Sequence, residues 1–160
     1  MRRPKSDIRA PLLDRLVDVE PLRSHERVPK RTLTLTEYKE SVRRDLLWLL
    51  NTRTSFSVPE LDTRDLSVID YGIPDFGNYY TANKDDQLRM RTILRRFLEA
   101  FEPRLREVEV FITPVPGEYK RLQVVLEGML VLDRTGREPV SFPLLLDLQQ
   151  GRYAFHEWIE

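Results

Sequence analysis

The hydrophobic period changes once within residues 84–114, which read KDDQLRMRTILRRFLEAFEPRLREVEVFITP. The first half carries an apolar stripe at i, i+3, i+4 and i+7, formed by Leu94, Phe97, Leu98 and Phe101. After Pro103 the period becomes two, because apolar and charged residues alternate. A period near 3.6 is typical of a helix and a period of two is typical of a strand. The stretch therefore predicts a helix, Lys84–Phe101, followed directly by a strand over residues 106–113.

Two further strands are predicted downstream. Alternation over residues 119–132 predicts the first, in which Gly128 marks a bulge or a close approach between backbones. Alternation over residues 140–148 predicts the second. Pro143 favours an edge position for that strand, because proline has no N–H to donate to a neighbouring strand.

A second helix is predicted upstream. Thr34 and Glu37 fit a capping box, and apolar residues at helical spacing follow them over residues 36–51. Asn83 is the predicted N-cap of the later helix. Helices that precede a run of strands indicate the α+β class. We expect an N-terminal arm and two main helices packed on a small antiparallel three-stranded sheet, with residues 34–160 forming the α+β domain.

Residues 1–33 are predicted to be an N-terminal arm, because they hold four of the eleven prolines and show no sustained period. A short amphipathic helix is predicted after Pro11, with an apolar face formed by Leu12, Leu13, Leu16 and Val17. A helix of two turns is marginal by itself and needs a surface on which to pack. That surface is either the chain's own domain or a partner, and the sequence leaves both open.

Residues 66–80 are predicted to form an ordered loop, because two glycines and a proline interrupt large apolar side chains that follow no regular period. Its aromatic side chains, which include Tyr71 and Phe76, would be costly to leave in water, so we expect them to pin the loop across the helices. Asp70 and Asp75 are predicted to accept hydrogen bonds within the turns of this loop.

Composition excludes several classes of function. Apolar residues make up 41% and charged residues 32%, which is typical of a globular domain. The lack of cysteine excludes disulfide scaffolds, thiol chemistry and Cys-based zinc sites. The 26 basic and 26 acidic residues cancel, so no long-range field gathers nucleic acid or an anionic membrane surface. We therefore expect no nucleic-acid partner. No apolar run approaches the ~18 residues of a membrane span, so we expect a cytoplasmic protein with no direct membrane insertion.

No catalytic, cofactor-binding or metal-binding residue is predicted. His25 and His156 have no second ligand at a metal spacing, and the six glycines never cluster into a phosphate-binding loop. The carboxylate of interest is Glu102, which stands with Pro103 and Arg104 between the predicted helix and the sheet. An ion pair that locks this junction, a partner-binding role and catalysis all remain open. A glycosidase would need a second carboxyl group ~5–10 Å away, and sequence spacing does not identify one.

Four segments together resemble the TssE family, the type VI secretion baseplate subunits within the phage baseplate-wedge family, which carries the older label "lysozyme-like". They are LLDRL at 12–16, DLLWLLNTR at 45–53, SVIDYGIPDF at 67–76 and FEPRL at 101–105. The last contains that family's Glu-Pro-Arg signature. The resemblance spans about residues 11–150.

The resemblance implies a structural protein without enzymatic activity or cofactors. TssE-like subunits join TssF and TssG in baseplate wedges, assemble with TssK and meet the contractile TssB–TssC sheath, so the expected location is the cytoplasmic side of a membrane-docked baseplate. The residues implied to be critical for assembly are Glu102, Pro103 and Arg104. The further expected partner contacts are Leu12, Leu13, Leu16, Tyr71, Pro74 and Phe76.

Two other interpretations stay open at this point. An anti-adaptor resembling IraD, which would bind a response-regulator adaptor, shares the fold, although the leucine-rich arm and the Tyr71–Phe76 loop favour the TssE family. A muralytic enzyme is the alternative from another class, and it depends on Glu102 acting as an acid.

Overall fold

The computed structural model describes residues 8–17, 31–132 and 136–155. His25 and His156 lie outside the described residues, as does most of the predicted arm. The elements in chain order are β1 Ile8–Arg9, α1 Leu12–Leu16, β2 Thr32–Leu33, α2 Leu35–Asn51, α3 Val58–Asp62, a 3-10 turn Val68–Asp70, α4 Lys84–Phe101, β3 Leu105–Pro114, β4 Arg121–Leu132, β5 Gly136–Asp147 and β6 Arg152–Phe155. None of the described helices is long and apolar enough to span a membrane.

Both main helices begin at the predicted caps. At α2, the Glu37 N–H donates to Thr34 Oγ1 over 3.2 Å, and the Thr34 N–H donates to Glu37 Oε2 over 2.8 Å. At α4, Asn83 Oδ1 accepts from the backbone N–H of Asp85 at 2.9 Å. These bonds satisfy donors that the first helical turn leaves without partners. The prediction of α4 is confirmed at both ends, and that of α2 is confirmed to within one residue.

The α+β class is confirmed, but the predicted three-stranded sheet is wrong in strand number. Within the described residues, the main sheet has four antiparallel strands in the order β3-β4-β5-β6, and a separate two-stranded sheet pairs β1 with β2. The fourth strand, Arg152–Phe155, was missed because four residues with a single buried side chain, Tyr153, give no measurable period. The arm also contributes to the core, since Ile8 and Ala10 are buried.

The core lies between the helices and one face of the sheet. Helix α4 packs against β3 and α2 packs against β6. Val42, Leu46, Leu94, Val124 and Leu144 are each fully buried there. The amphipathic stripe of each helix and the alternation of each strand therefore point toward one shared apolar interior.

The expectation that Pro143 marks an edge strand is only half right. β5 is the third strand of four, and β6 pairs with it only over Leu144–Asp147. Pro143 directly precedes that paired stretch. Within the described residues, the part of β5 before Leu144 is paired on one side only. The two edges of the main sheet are β3 and β6.

Gly128 lies at a close approach between strands, as predicted, although the bulge itself is in β3. The register of β3 against β4 shifts between Arg106 and Glu109, and Glu107 adopts a φ of 55°. A Cβ at Gly128 would lie 3.0 Å from the backbone oxygen of Arg106. Glycine at this position therefore lets β4 follow the bulge that comes directly after Glu102-Pro103-Arg104.

Candidate protein-interaction site

The Glu102-Pro103-Arg104 segment is a tightly fixed connection between α4 and the sheet. The Glu102 N–H donates to the Leu98 carbonyl over 2.9 Å, and the Glu102 carbonyl accepts from Leu105 at 3.1 Å. The Arg104 carbonyl accepts from the Val131 N–H of β4 at 2.8 Å. Pro103 restricts the backbone between them. The two charged side chains are therefore presented from a rigid turn.

Those side chains form a bidentate ion pair. Arg104 Nε donates to Glu102 Oε1 over 2.6 Å and Arg104 Nη2 donates to Oε2 over 2.5 Å. Arg104 Nη2 also donates to Asp45 Oδ2 over 2.6 Å, and Nη1 donates to Ser41 Oγ over 3.1 Å. The side chain of Glu102 is only 5% exposed and that of Arg104 is 17% exposed. A parallel, two-bond contact between guanidinium and carboxylate is among the strongest hydrogen-bonded pairs in proteins.

The electrostatics keep Arg104 charged. Burial by itself would lower the pKa of the Arg104 guanidinium, but hydrogen bonds and charge from Glu102 and Asp45 outweigh it and raise that pKa above its ordinary range. The pair therefore cannot be released by deprotonation of the arginine in any pH range where the protein folds.

The pairing continues from Arg104 to the N-terminal arm. Arg44 Nη2 donates to Asp45 Oδ1 over 2.9 Å, and Arg44 Nη1 donates to Asp14 Oδ1 over 2.6 Å. The Ser41 hydroxyl donates to Asp14 Oδ2 over 2.6 Å. We name this set the Glu102–Asp14 network; its members are Glu102, Arg104, Asp45, Arg44, Ser41 and Asp14. It joins α1, α2 and the helix-to-strand junction, which are far apart in sequence.

Asp14 is the group that fixes α1 to the domain. Burial would raise the pKa of its carboxyl, but hydrogen bonds from Arg44 and Ser41 and the charges of Arg44 and Arg104 lower it overall. The leucines of the same helix make no such attachment, since Leu12, Leu13 and Leu16 are 64%, 45% and 71% exposed. Helix α1 is thus held by its polar face and leaves its apolar face at the surface.

A cleft of about 320 Å³ opens beside the network. Its rim is apolar and includes Leu13 of α1, Trp48 of α2, Tyr71 of the loop and Phe101 of α4, with Glu102 and Arg104 also in the lining. Tyr71 packs edge-to-face on Phe101 with ring centroids 5.4 Å apart, and Trp48 is 50% exposed. Aromatic and arginine side chains around a desolvated centre are typical of protein-interaction hot spots.

The structure brings some of the predicted site residues to this cleft and places others in the interior. Leu13, Tyr71, Glu102, Pro103 and Arg104 line it together. Leu12 and Leu16 lie on the exposed face of α1. Pro74 and Phe76 are buried in the loop.

Trp48 is the cleft residue that the sequence pattern did not single out. The run DLLWLLN is apolar almost throughout, so Leu46, Leu49 and Leu50 supply the buried stripe without it. The available signal for a surface role of Trp48 was its position on α2, where a large aromatic side chain lies outside the buried apolar stripe. The pairing of Asp14 with Arg44 had no local signal, because the two residues lie 30 positions apart.

The loop carboxylates have the structural role that was predicted for them. Asp70 is fully buried and accepts from the backbone and hydroxyl of Ser67 at 2.8 and 2.9 Å, with Arg64 Nε 3.4 Å away. Burial would raise the pKa of Asp70, but these contacts lower it overall. Asp75 accepts from the Gly77 N–H at 2.9 Å. Both carboxylates stabilise turns of the ordered loop.

The site has two close carboxylates, yet neither is arranged for acid–base chemistry. Glu102 and Asp45 both contact Arg104 Nη2, at 2.5 and 2.6 Å. Glycoside hydrolysis requires a pair in which one carboxyl passes its proton to the substrate. Here both oxygens of Glu102 are bonded to a guanidinium and its side chain is nearly inaccessible. Among the residues that the structure describes, no group of three or more His, Asp or Glu side chains could hold a metal ion.

Known proteins show where this architecture occurs. The family model described as "Baseplate wedge protein gp25" matches residues 36–135, which include α2, the ordered loop, α4 and Glu102-Pro103-Arg104. A solved chain from "The baseplate complex from the type VI secretion system" is similar in fold, with a TM-score of 0.52 and 20% sequence identity. The similarity covers 76% of this chain and 96% of that chain. No curated protein gives a significant match to this sequence.

Proposed function

This chain belongs to the baseplate wedge protein gp25 family, and from that premise we propose that it is a TssE-like structural subunit of a type VI secretion baseplate that helps to initiate and anchor the contractile sheath. The similar fold of a chain from a type VI baseplate complex supports the choice of system. The expected setting is the cytoplasmic, membrane-docked baseplate. The observation that carries the proposal is the Glu102–Asp14 network beside an apolar-rimmed cleft.

The network supports a structural role because it couples the surfaces that a wedge subunit would use. Arg104 fixes the end of α4 against α2, and Arg44 and Ser41 fix α1 on the same face of α2. A load applied at α1 would therefore be transmitted to the sheet through charge-assisted hydrogen bonds. A subunit between wedge and sheath needs this kind of stiffness.

The exposed leucines of α1 are the proposed contact with the wedge proteins TssF and TssG, with TssK joining the same assembly. Three large apolar side chains on one short helix would gain free energy by leaving water, since each of them is between 45% and 71% exposed. The cleft beside them offers Trp48 and Tyr71 as anchors.

The sheet edges are the proposed contact with the sheath proteins TssB and TssC. β3 is paired on one side only, and β5 has an unpaired side before Pro143 in the part of the chain that the structure describes. Such edges accept an added strand, with main-chain hydrogen bonds giving affinity and alternate side chains giving register.

The test replaces the exposed leucines and leaves the network intact. A variant with Leu12→Ser, Leu13→Ser and Leu16→Ser should keep the folded domain, because all three side chains are exposed. It should no longer co-purify with TssF and TssG, and fluorescently labelled sheaths should fail to form in cells. Leu88→Ser is the matched control, since Leu88 is 59% exposed on α4. Normal co-purification and sheath assembly in the triple variant would contradict the proposal.

A further inference from the structure

Trp48 also lines a second cleft, of about 610 Å³, between the C-terminal half of α2 and the turn that leads into β6. We name it the Trp48 groove. Its lining includes Arg44, Leu47, Trp48, Asn51, Gln150 and Arg152. The groove does not contain Glu102 or Arg104 and is therefore distinct from the site beside the network.

The groove is held open by a rigid clamp. The Asn51 side-chain amide donates to the Tyr153 carbonyl over 3.0 Å, and its Oδ1 accepts from the Tyr153 N–H at 2.9 Å. The Asn51 side chain thus occupies both backbone groups of Tyr153, the N–H and the carbonyl, as a neighbouring strand would do. Because the two walls are fixed in advance, a ligand need not pay for ordering them.

The groove carries positive charge that no residue described by the structure neutralises. Arg152 is exposed and makes no ion pair with any residue that the structure describes. Arg53 reaches the same turn: its Nη1 donates to the Leu50 carbonyl over 3.0 Å, and its Nη2 would lie 2.6 Å from a Cβ at Gly151. A larger residue there would displace the guanidinium from this position. No acidic residue lines the groove.

The apolar part of the groove is an aromatic surface beside these cations. Trp48 is half exposed, and the guanidinium carbon of Arg44 lies 5.1 Å from its ring centroid. Arg44 itself is neutralised by Asp14 and Asp45, so its stacking orients the ring without adding free charge. Leu47 continues the apolar surface toward the turn.

We propose that the Trp48 groove binds an acidic segment of a second protein, with carboxylates on Arg152 and Arg53 and an apolar side chain against Trp48 and Leu47. This adds a second docking surface to the proposed function and rests on that function only for the expectation that the partner is a baseplate protein. Charge complementarity selects the occupant. A nucleic acid is disfavoured, because the chain has no net positive charge and the groove presents one ring instead of a row of stacking surfaces.

The probe is a fluorescein-labelled 12-residue peptide of glutamates around a central Leu-Phe pair, titrated with the full chain and followed by fluorescence anisotropy. Arg152→Ala and Arg53→Ala should each weaken binding by about three- to tenfold. Trp48→Ala should weaken it as well. Arg152→Glu should abolish binding of this peptide and create binding of the same peptide with lysines in place of glutamates. Arg106→Ala is the matched control, because Arg106 is exposed on β3 and has no ion pair within the described residues.

Three results would overturn the proposal. One is no binding of the acidic peptide, or equal binding by the native chain and Arg152→Ala. Another is equal affinity of the native chain for the acidic and lysine peptides. The third is tighter binding of a 12-nucleotide oligothymidine than of the acidic peptide. The sheath phenotype of the leucine variant is scored separately, so the groove can fail while the proposed function stands.

Discussion

Replacing Arg104 by alanine removes the cation that holds two carboxylates together. Glu102 then loses both of its guanidinium bonds, whereas Asp45 loses one bond and keeps its contact with Arg44 Nη2 at 2.9 Å. Breaking a fully buried pair from one side costs about 3–5 kcal/mol, because the remaining charge stays desolvated. Asp45 is 24% exposed and water can partly screen it. We expect Arg104→Ala to lower the free energy of unfolding by about 2–4 kcal/mol.

The measurement is urea unfolding of the purified chain, combined with a double-mutant cycle. Glu102→Gln removes the carboxylate charge that Arg104→Ala leaves buried without a guanidinium, so Glu102→Gln with Arg104→Ala should recover about 1 kcal/mol or more relative to Arg104→Ala alone. Arg95→Ala is the matched control: Arg95 pairs with Glu99 at 2.9 Å, but both side chains are half exposed. Its loss should cost no more than about 0.5 kcal/mol.

An Arg104→Ala protein within about 0.5 kcal/mol of the native chain would refute this reasoning. Additive effects of the two substitutions would refute it too, since additivity means that the groups do not interact. Either result would indicate that the Glu-Pro-Arg segment does not stabilise the fold and acts only in binding. For the same reason, sheath assembly in Arg104 variants must be compared at matched amounts of folded protein.

Further outcomes follow from individual contacts. Tyr153→Phe should leave the free energy of unfolding unchanged or raise it by up to about 2 kcal/mol in urea unfolding, because the Tyr153 hydroxyl is buried and has no hydrogen-bond partner among the described residues. The folded-state pKa of the Asp14 carboxyl is lowered. Its contribution to the free energy of unfolding is therefore complete above the unfolded-state pKa of about 3.9, and it is lost as the pH falls through the folded-state pKa. Amide exchange of α1 should therefore accelerate in acid, and Asp14→Asn should show the same acceleration at pH 7; protection that does not change would contradict the attachment. Gly128→Ala should lower the free energy of unfolding by about 1–3 kcal/mol, since its Cβ would lie 3.0 Å from the backbone oxygen of Arg106. A thermal melt that matches that of the native chain would show that β3 shifts to accommodate the methyl group. The purified chain should not turn over peptidoglycan, and any turnover that disappears in Glu102→Gln, with the circular dichroism spectrum intact, would restore the enzymatic interpretation.

The sequence alone determined the features that depend on neighbours within one helical turn or along one strand. Capping by Thr34 and Asn83 fixed where α2 and α4 begin, and the apolar stripe before Glu102 fixed where α4 ends. Alternation located β3, β4 and β5, and the change of period between α4 and β3 indicated the α+β class. These signals are local, because a capping bond joins residues three apart and a period is read within about ten residues.

Which of these elements meet depends on contacts between residues that are distant in the chain. β6 is too short to show a period, and its clamp to Asn51 joins residues 102 positions apart. The Glu102–Asp14 network joins Arg104 to Asp45 across 59 positions, and Arg44 to Asp14 across 30. Charged residues are frequent on every surface, so their spacing in the chain carries no information about partners. Packing of the apolar faces sets the distances between helices and sheet, and those distances select which arginine reaches which carboxylate.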